Sequence, residues 1–173
     1  SWFVAVEKIK PVLLKTAKKI NWAPEHIKEG RFGQWLEGAR DWSISRQRFW
    51  ANTIPVWRCE QCKKEQIFAS AIELEKASGI LINDLHKDVV DTVTFACRCG
   101  GVFGRVPDVS DTWFDSGSMP FAQDPDHILY PADFISEAID QTRGWFYTLH
   151  AVGVLMERGH AFKNVICLGH ILD

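Results

Sequence analysis

Apolar residues recur at helical spacing over residues 2 to 20 (Val6, Ile9, Leu13, Leu14, Ala17), with Pro11 in their midst. Proline removes a backbone donor and crowds the preceding turn, so this pattern predicts a turn and then a helix. Phe32 to Ala39 predicts a short second helix, and Ile54 to Trp57 an apolar strand. "SAIELEKASG" carries helix start and stop signals, with Ser70 as N-cap, Glu73 three residues on and Gly79 closing the end. "DVVDTVTFAC" is a further strand candidate. Trp113 follows a predicted strand, with Ser116 and Gly117 making a turn. Beyond a proline-bounded loop from Asp124 to Pro131, Ser136 to Leu149 reads as an amphipathic helix, and "NVICL" as the strand that follows it. A helix feeding a strand that ends in a Gly-His pair fits a βαβ unit with its ligand at the strand's carboxyl end. There are no internal repeats. The expected architecture is an α/β body interrupted by a small cysteine-bounded module.

The helix expected from Ser136 has an unusual face. Glu137, Asp140, Gln141, Gly144 and Trp145 fall at i, i+3, i+4, i+7 and i+8. Acids favour a helix's first turn, where they meet the positive end of the dipole, and that alone accounts for the first two. It leaves the others. Glycine inside a helix costs about 1 kcal/mol relative to alanine, which asks for a close neighbour or a ligand. Acids, an amide, a gap and an indole wall would form a slot with one polar and one apolar end, suited to an amino acid. A plain packed helix is the alternative. Trp113, flanked by Asp111 and Asp115, is either a core residue or a second wall opposite Trp145.

Composition narrows the class. The 173 residues are 46% hydrophobic and 24% charged, enough to bury a core. Twenty Lys and Arg against 22 Asp and Glu leave a formal charge of −2, which argues against binding nucleic acid by bulk electrostatics. This leaves room for a local patch at Arg40, Arg46 and Arg48, although pairing of the arginines in "SRQR" with nearby carboxylates is the slightly favoured alternative. No apolar run suggests a membrane span and no signal peptide opens the chain, so a soluble cytoplasmic protein is expected. The chain begins without Met and stops at "GHILD", as a piece of a longer protein would.

Cys59 and Cys62 form C-x-x-C, and Cys97 and Cys99 form C-x-C followed by Gly100 and Gly101. Two short thiolate pairs around a compact segment suit tetrahedral Zn²⁺, and with all four positions filled the site is structural. Free thiols or disulfides are the alternatives; a C-x-C disulfide would be strained. Cys167, in "VICL", reads as a buried small hydrophobe.

Three long stretches, "GRFGQWLEGARDWSISRQRFW", "VPDVSDTWFDSGSMPF" and "PADFISEAIDQTRGWFYTL", resemble the isoleucyl-tRNA synthetase family of class I aminoacyl-tRNA synthetases. The valyl and leucyl enzymes share the D-W-x-I-S-R-Q type segment but differ in the run from Glu137. The resemblance covers about Trp2 to Asp173. It implies the second half of a Rossmann-type catalytic domain with an inserted zinc module, divided as residues 1–57, 58–104 and 105–173. It implies that isoleucine and ATP, with Mg²⁺, give isoleucyl-adenylate, and that the isoleucyl group then passes to tRNA(Ile); the parent enzyme is expected to be monomeric. By the same resemblance Glu137, Asp140 and Gln141 contact the adenylate, Trp113 and Trp145 wall the isoleucine side chain, and His170 lies beside the adenosine. No side chain acts as a nucleophile.

The chain departs from the family in places. Ala51 and Ala138 stand where glycine is usual. The H-x-G-H and K-M-S-K-S motifs that handle ATP phosphates are absent, so this stretch alone is expected to be inactive. A valyl or leucyl fragment is the nearest rival, and a non-catalytic zinc-ribbon module that binds tRNA or protein is a rival of another class.

Overall fold

The computed structural model describes residues 1–124, 126 and 129–169. In chain order the elements are β1 (Phe3–Val4), α1 (Val6–Ala17), β2 (Asn21–Ala23), a π-helical turn (Lys28–Gly33), α2 (Gln34–Gly38), β3 (Trp42–Ser43) and β4 (Ser45–Arg46). Next come β5 (Val56–Cys59), β6 (Glu65–Ile67), α3 (Ala71–Ser78), α4 (Lys87–Val90), β7 (Phe95–Ala96), β8 (Val102–Arg105) and β9 (Val109–Ser110). The chain closes with α5 (Thr112–Gln123), β10 (Ala132–Ala138), a 3-10 turn (Ile139–Arg143), α6 (Trp145–Leu155) and β11 (Phe162–Leu168). It divides into two compact units, Phe3–Ser43 with Thr112–Asp173, and Ser1–Trp2 with Ile44–Asp111.

The first unit is built on a parallel sheet in the order β10-β11-β2. β10, α6 and β11 form a βαβ unit, of which the sequence led to the helix and the second strand but not to β10. Every residue of α6 from Phe146 to Val154 is buried, which is why this helix is apolar on all sides. Its neighbours in the core include Leu13, Ile20, Phe32, Leu36 and Phe162. α5 lies close against α6: a methyl group on Gly117 would come within 2.7 Å of the Thr148 carbonyl oxygen.

In the second unit four antiparallel strands run in the order β6-β5-β8-β7. Trp57, Leu74, Ile82, Val93 and Phe103 fill its core, and the Trp57 indole N–H donates to the Val93 carbonyl at 2.7 Å. The expected capping of α3 is present. Ser70 Oγ accepts from the Glu73 N–H at 3.3 Å, the Glu73 carboxylate accepts from the Ala69 N–H at 2.9 Å, and Gly79 ends the helix at φ 73°. Arg105, whose side chain is fully buried, binds Asp91 at 2.5 Å and the carbonyls of Asp108 (2.8 Å) and Ile54 (3.3 Å). Burial raises the Asp91 pKa, but hydrogen bonds from Arg105 and Lys87 outweigh it and hold the carboxyl below its usual value.

Four local expectations need correction. α1 runs through Pro11, because Pro11 is exposed while Val6, Leu13 and Ala17 anchor the helix on either side of it. "DVVDTVTFAC" is not one strand: Val90 and Val93 both turn inward at a three-residue spacing, and only Phe95–Ala96 is extended. Ser116 and Gly117 lie inside α5, where the hydroxyls of Ser116 and Ser118 bond back to the carbonyls of Trp113 (3.4 Å) and Phe114 (2.8 Å). Ser136 to Leu149 is strand, 3-10 turn and helix in succession, since pairing with β11 claims the backbone through Ala138. Among the described residues no helix is long and apolar enough to cross a membrane.

Candidate functional site

The residues expected on one helical face gather by a different route. Glu137 is near the carboxyl end of β10, level with Cys167 on β11. Asp140 and Gln141 follow on the 3-10 turn, and Trp145 opens α6. The Gln141 amide is held at both ends: its Nε2 donates to Asp140 Oδ2 at 3.0 Å, and its Oε1 accepts from the Trp145 N–H at 2.8 Å. The Trp145 indole N–H donates to the Ser116 carbonyl at 3.3 Å, which fixes the ring against α5.

Gly144 is where these groups meet. A methyl group there would lie 2.6 Å from Gln141 Oε1 and 3.2 Å from Trp113 Cη2. The glycine therefore lets Trp113 and Gln141 approach across it, the close neighbour its presence asked for. Trp113 remains 45% exposed, so much of this residue is open to solvent. Glu137 and Asp140 are exposed, and among the described residues neither carboxylate is in a salt bridge. The arrangement presents negative charge beside an indole wall at the carboxyl ends of parallel strands, where open α/β sheets bind ligands. Thr142 locks the turn from below: its hydroxyl donates to the Ile139 carbonyl at 2.8 Å and accepts from Arg31 Nε at 2.9 Å. Sequence reasoning missed Thr142, although it lies in the same D-Q-T-R run, and the Ser116 carbonyl, which as a backbone atom leaves no signal. No hydrogen bond among the described residues joins Glu137 to the others, and His170 lies outside the described residues.

The four cysteines converge. All four sulfurs lie within 4.8 Å of one another, with Cys59 and Cys99 3.5 Å apart and Cys62 and Cys97 3.7 Å apart. A tetrahedral zinc site with Zn–S bonds of about 2.3 Å requires S···S edges of about 3.8 Å, so an all-sulfur donor set of this size fits such an ion. Gly100, at φ 89°, turns the chain, and a methyl group on Gly101 would reach 2.9 Å from Cys59 Sγ. The thiols affect one another's ionisation. The Cys62 backbone N–H, above all, lowers Cys59 to about 6, while Cys97 rises to about 11 because burial and sulfur neighbours outweigh the Cys99 backbone N–H. Sharing one small space, they ionise as a group.

Arg46 pairs with Asp111 at 3.1 Å, the carboxylate pairing that the sequence reading favoured over a basic patch. Cys167 is buried, as expected, and burial raises its thiol, with Arg31 acting downward and Asp140 upward.

A parallel βαβ unit with exposed acids at and beyond its strand end, together with an inserted four-cysteine module, defines an α/β fold with a candidate metal cluster. The pattern described as tRNA synthetases class I (I, L, M and V) matches residues 1–173, and the chain belongs to that family. Relatives named isoleucine--tRNA ligase are 51% identical in Treponema denticola, covering 99% of the chain and 16% of the relative. Those of Chlamydia trachomatis (50%; 99% and 17%) and Dehalococcoides mccartyi (44%; 100% and 19%) are similar. The chain thus spans less than a fifth of the length of these relatives. A leucyl enzyme from Agrobacterium radiobacter K84, solved as a ternary complex with tRNA and LeuAMS, is 20% identical with a TM-score of 0.55 over 85% of the chain and 23% of its own; it shares the fold.

Proposed function

We propose that the chain is a catalytic-domain segment of an isoleucine–tRNA ligase, which activates isoleucine with ATP and transfers it to tRNA(Ile). The observation that carries this reading is the meeting of Asp140, Gln141, Trp145 and Trp113 around Gly144. In this reading Glu137 and Asp140 receive the α-ammonium, and Gln141 holds the adenylate. The indoles of Trp113 and Trp145 wall the aliphatic side chain, and His170 lies by the adenosine. An isoleucine carboxylate oxygen attacks the α-phosphorus and pyrophosphate leaves, so the protein's contribution is positioning and charge stabilisation. Mg²⁺ accompanies ATP. Apolar walls resolve one methylene by only about 1–3 kcal/mol, a limit for which isoleucine against valine is the usual illustration. Cys59, Cys62, Cys97 and Cys99 would hold a structural zinc ion, which would tie β5 to the β7–β8 turn. The working enzyme would be a cytoplasmic monomer.

The test is amino-acid-dependent ATP–pyrophosphate exchange by the complete ligase, with isoleucine, valine and leucine in parallel. Strong exchange with isoleucine and weaker exchange with valine is expected. No exchange with any of the three would refute the reading, and preference for leucine would reassign the substrate.

A further inference from the structure

Beside the proposed adenylate site, a groove of about 540 Å³ is lined by Gly30, Arg31, Gln34, Trp35 and Arg143. Its walls contain no acid. Among the described residues neither guanidinium is in a salt bridge, although the chain as a whole carries a formal charge of −2. Both are held in place by contacts that leave donors free. Among the described residues Arg31 donates through its Nε alone, to Thr142 Oγ1 at 2.9 Å, which leaves both terminal nitrogens. Arg143 lies over the Trp35 ring at 5.4 Å, and a guanidinium held against an aromatic ring keeps its N–H groups available. Trp35 is itself braced edge-on by Tyr147 at 5.7 Å, and its buried indole N–H has no acceptor among the described residues.

A groove with two held guanidiniums and no carboxylate suits an anionic ligand rich in acceptors, and paired forks match phosphate oxygens. Its open shape fits a chain running across it better than a mononucleotide, which a binding site normally encloses. We infer that this groove takes a phosphodiester of the tRNA, with Arg31 and Arg143 as its phosphate-binding residues. The inference rests on the ligase reading. Thr142 joins the two places: it follows Gln141 in the chain and holds Arg31 through its hydroxyl, so the groove borders the aminoacylation site.

The experiment uses the complete ligase with two substitutions, Arg143→Gln, which removes a fork, and Gln34→Glu, which places a carboxylate in the groove from an exposed position that does not support the fold. Each should raise the KM for tRNA in aminoacylation by about 10-fold or more, as loss of a charge-assisted phosphate contact does. The KM for ATP in pyrophosphate exchange should not change. For Arg143→Gln the slope of log affinity for tRNA against log salt should fall by about 1. An increase in the KM for ATP with tRNA unaffected would assign the groove to the nucleotide and overturn the inference, as would no change in either. If the unmodified protein shows no exchange, the ligase reading fails; tRNA affinity and its salt slope, measured without catalysis, would still decide for or against the groove.

Discussion

His150 should make the stability of the chain depend on pH. It is fully buried on α6, with Nε2 3.0 Å from the Leu13 carbonyl oxygen and 3.4 Å from Thr16 Oγ1. A carbonyl only accepts, so Nε2 carries the proton, and Nδ1 is left buried without a partner. Charging the ring would place a second N–H where nothing receives it. Burial is the main reason its pKa falls to about 4 from 6.5; the Leu13 carbonyl opposes the fall and His160 adds to it. Between these values the unfolded chain binds a proton that the folded chain does not. Stability from the neutral ring is therefore complete above about pH 6.5 and is lost as pH falls towards 4. At 1.36 kcal/mol for each pKa unit, the full loss is about 3 kcal/mol, of which about 2 kcal/mol is gone by pH 5.

Urea unfolding of the chain between pH 8 and pH 4, compared with His150→Gln, isolates this contribution because the remaining histidines titrate in both proteins. The variant keeps a donor for the Leu13 carbonyl and has no ionisation, so its stability should fall less by about 2 kcal/mol between pH 7 and pH 5. Parallel pH profiles for the two proteins would refute the argument. So would an imidazole resonance of His150 that titrates near 6.5.

Three further outcomes are expected. Gly144→Ala should push Gln141 out of its two hydrogen bonds, since the added carbon would lie 2.6 Å from Oε1; the KM for isoleucine in pyrophosphate exchange should rise about 10-fold or more with little loss of thermal stability. Gly101→Ala, with its added carbon 2.9 Å from Cys59 Sγ, should lower zinc content and affinity measured by chelator competition, whereas Gly104→Ala, which meets nothing within 4 Å, should not. Asp91→Asn would leave the buried Arg105 guanidinium without its counter-charge and should destabilise the chain by about 3 kcal/mol in urea unfolding.

The parts legible in the sequence were those fixed by neighbours in the chain. The α3 cap depends on Ser70, Glu73 and Gly79 lying within ten residues, and the short spacing within each cysteine pair marked the thiols, although the two pairs meet only through the pairing of β5 and β7 with β8. The run from Glu137 to Trp145 was legible as a constellation but not as a shape. Its 3.6-residue spacing suggested one helix, while long-range pairing of Ala132–Ala138 with Phe162–Leu168 made the first part a strand. Tertiary pairing overrode local periodicity here, as it commonly does for short segments. Gly144 marks the point where the expected helix fails. The glycine was out of place in a helix because it belongs to a junction, where Gln141 turns back to accept from the Trp145 N–H and Trp113 closes from α5. The groove at Arg31 and Arg143 left no comparable trace, because its two guanidiniums are 112 positions apart and meet only through Thr142 and Trp35. A local pattern can announce a residue in the wrong place; only the fold shows what that residue makes room for.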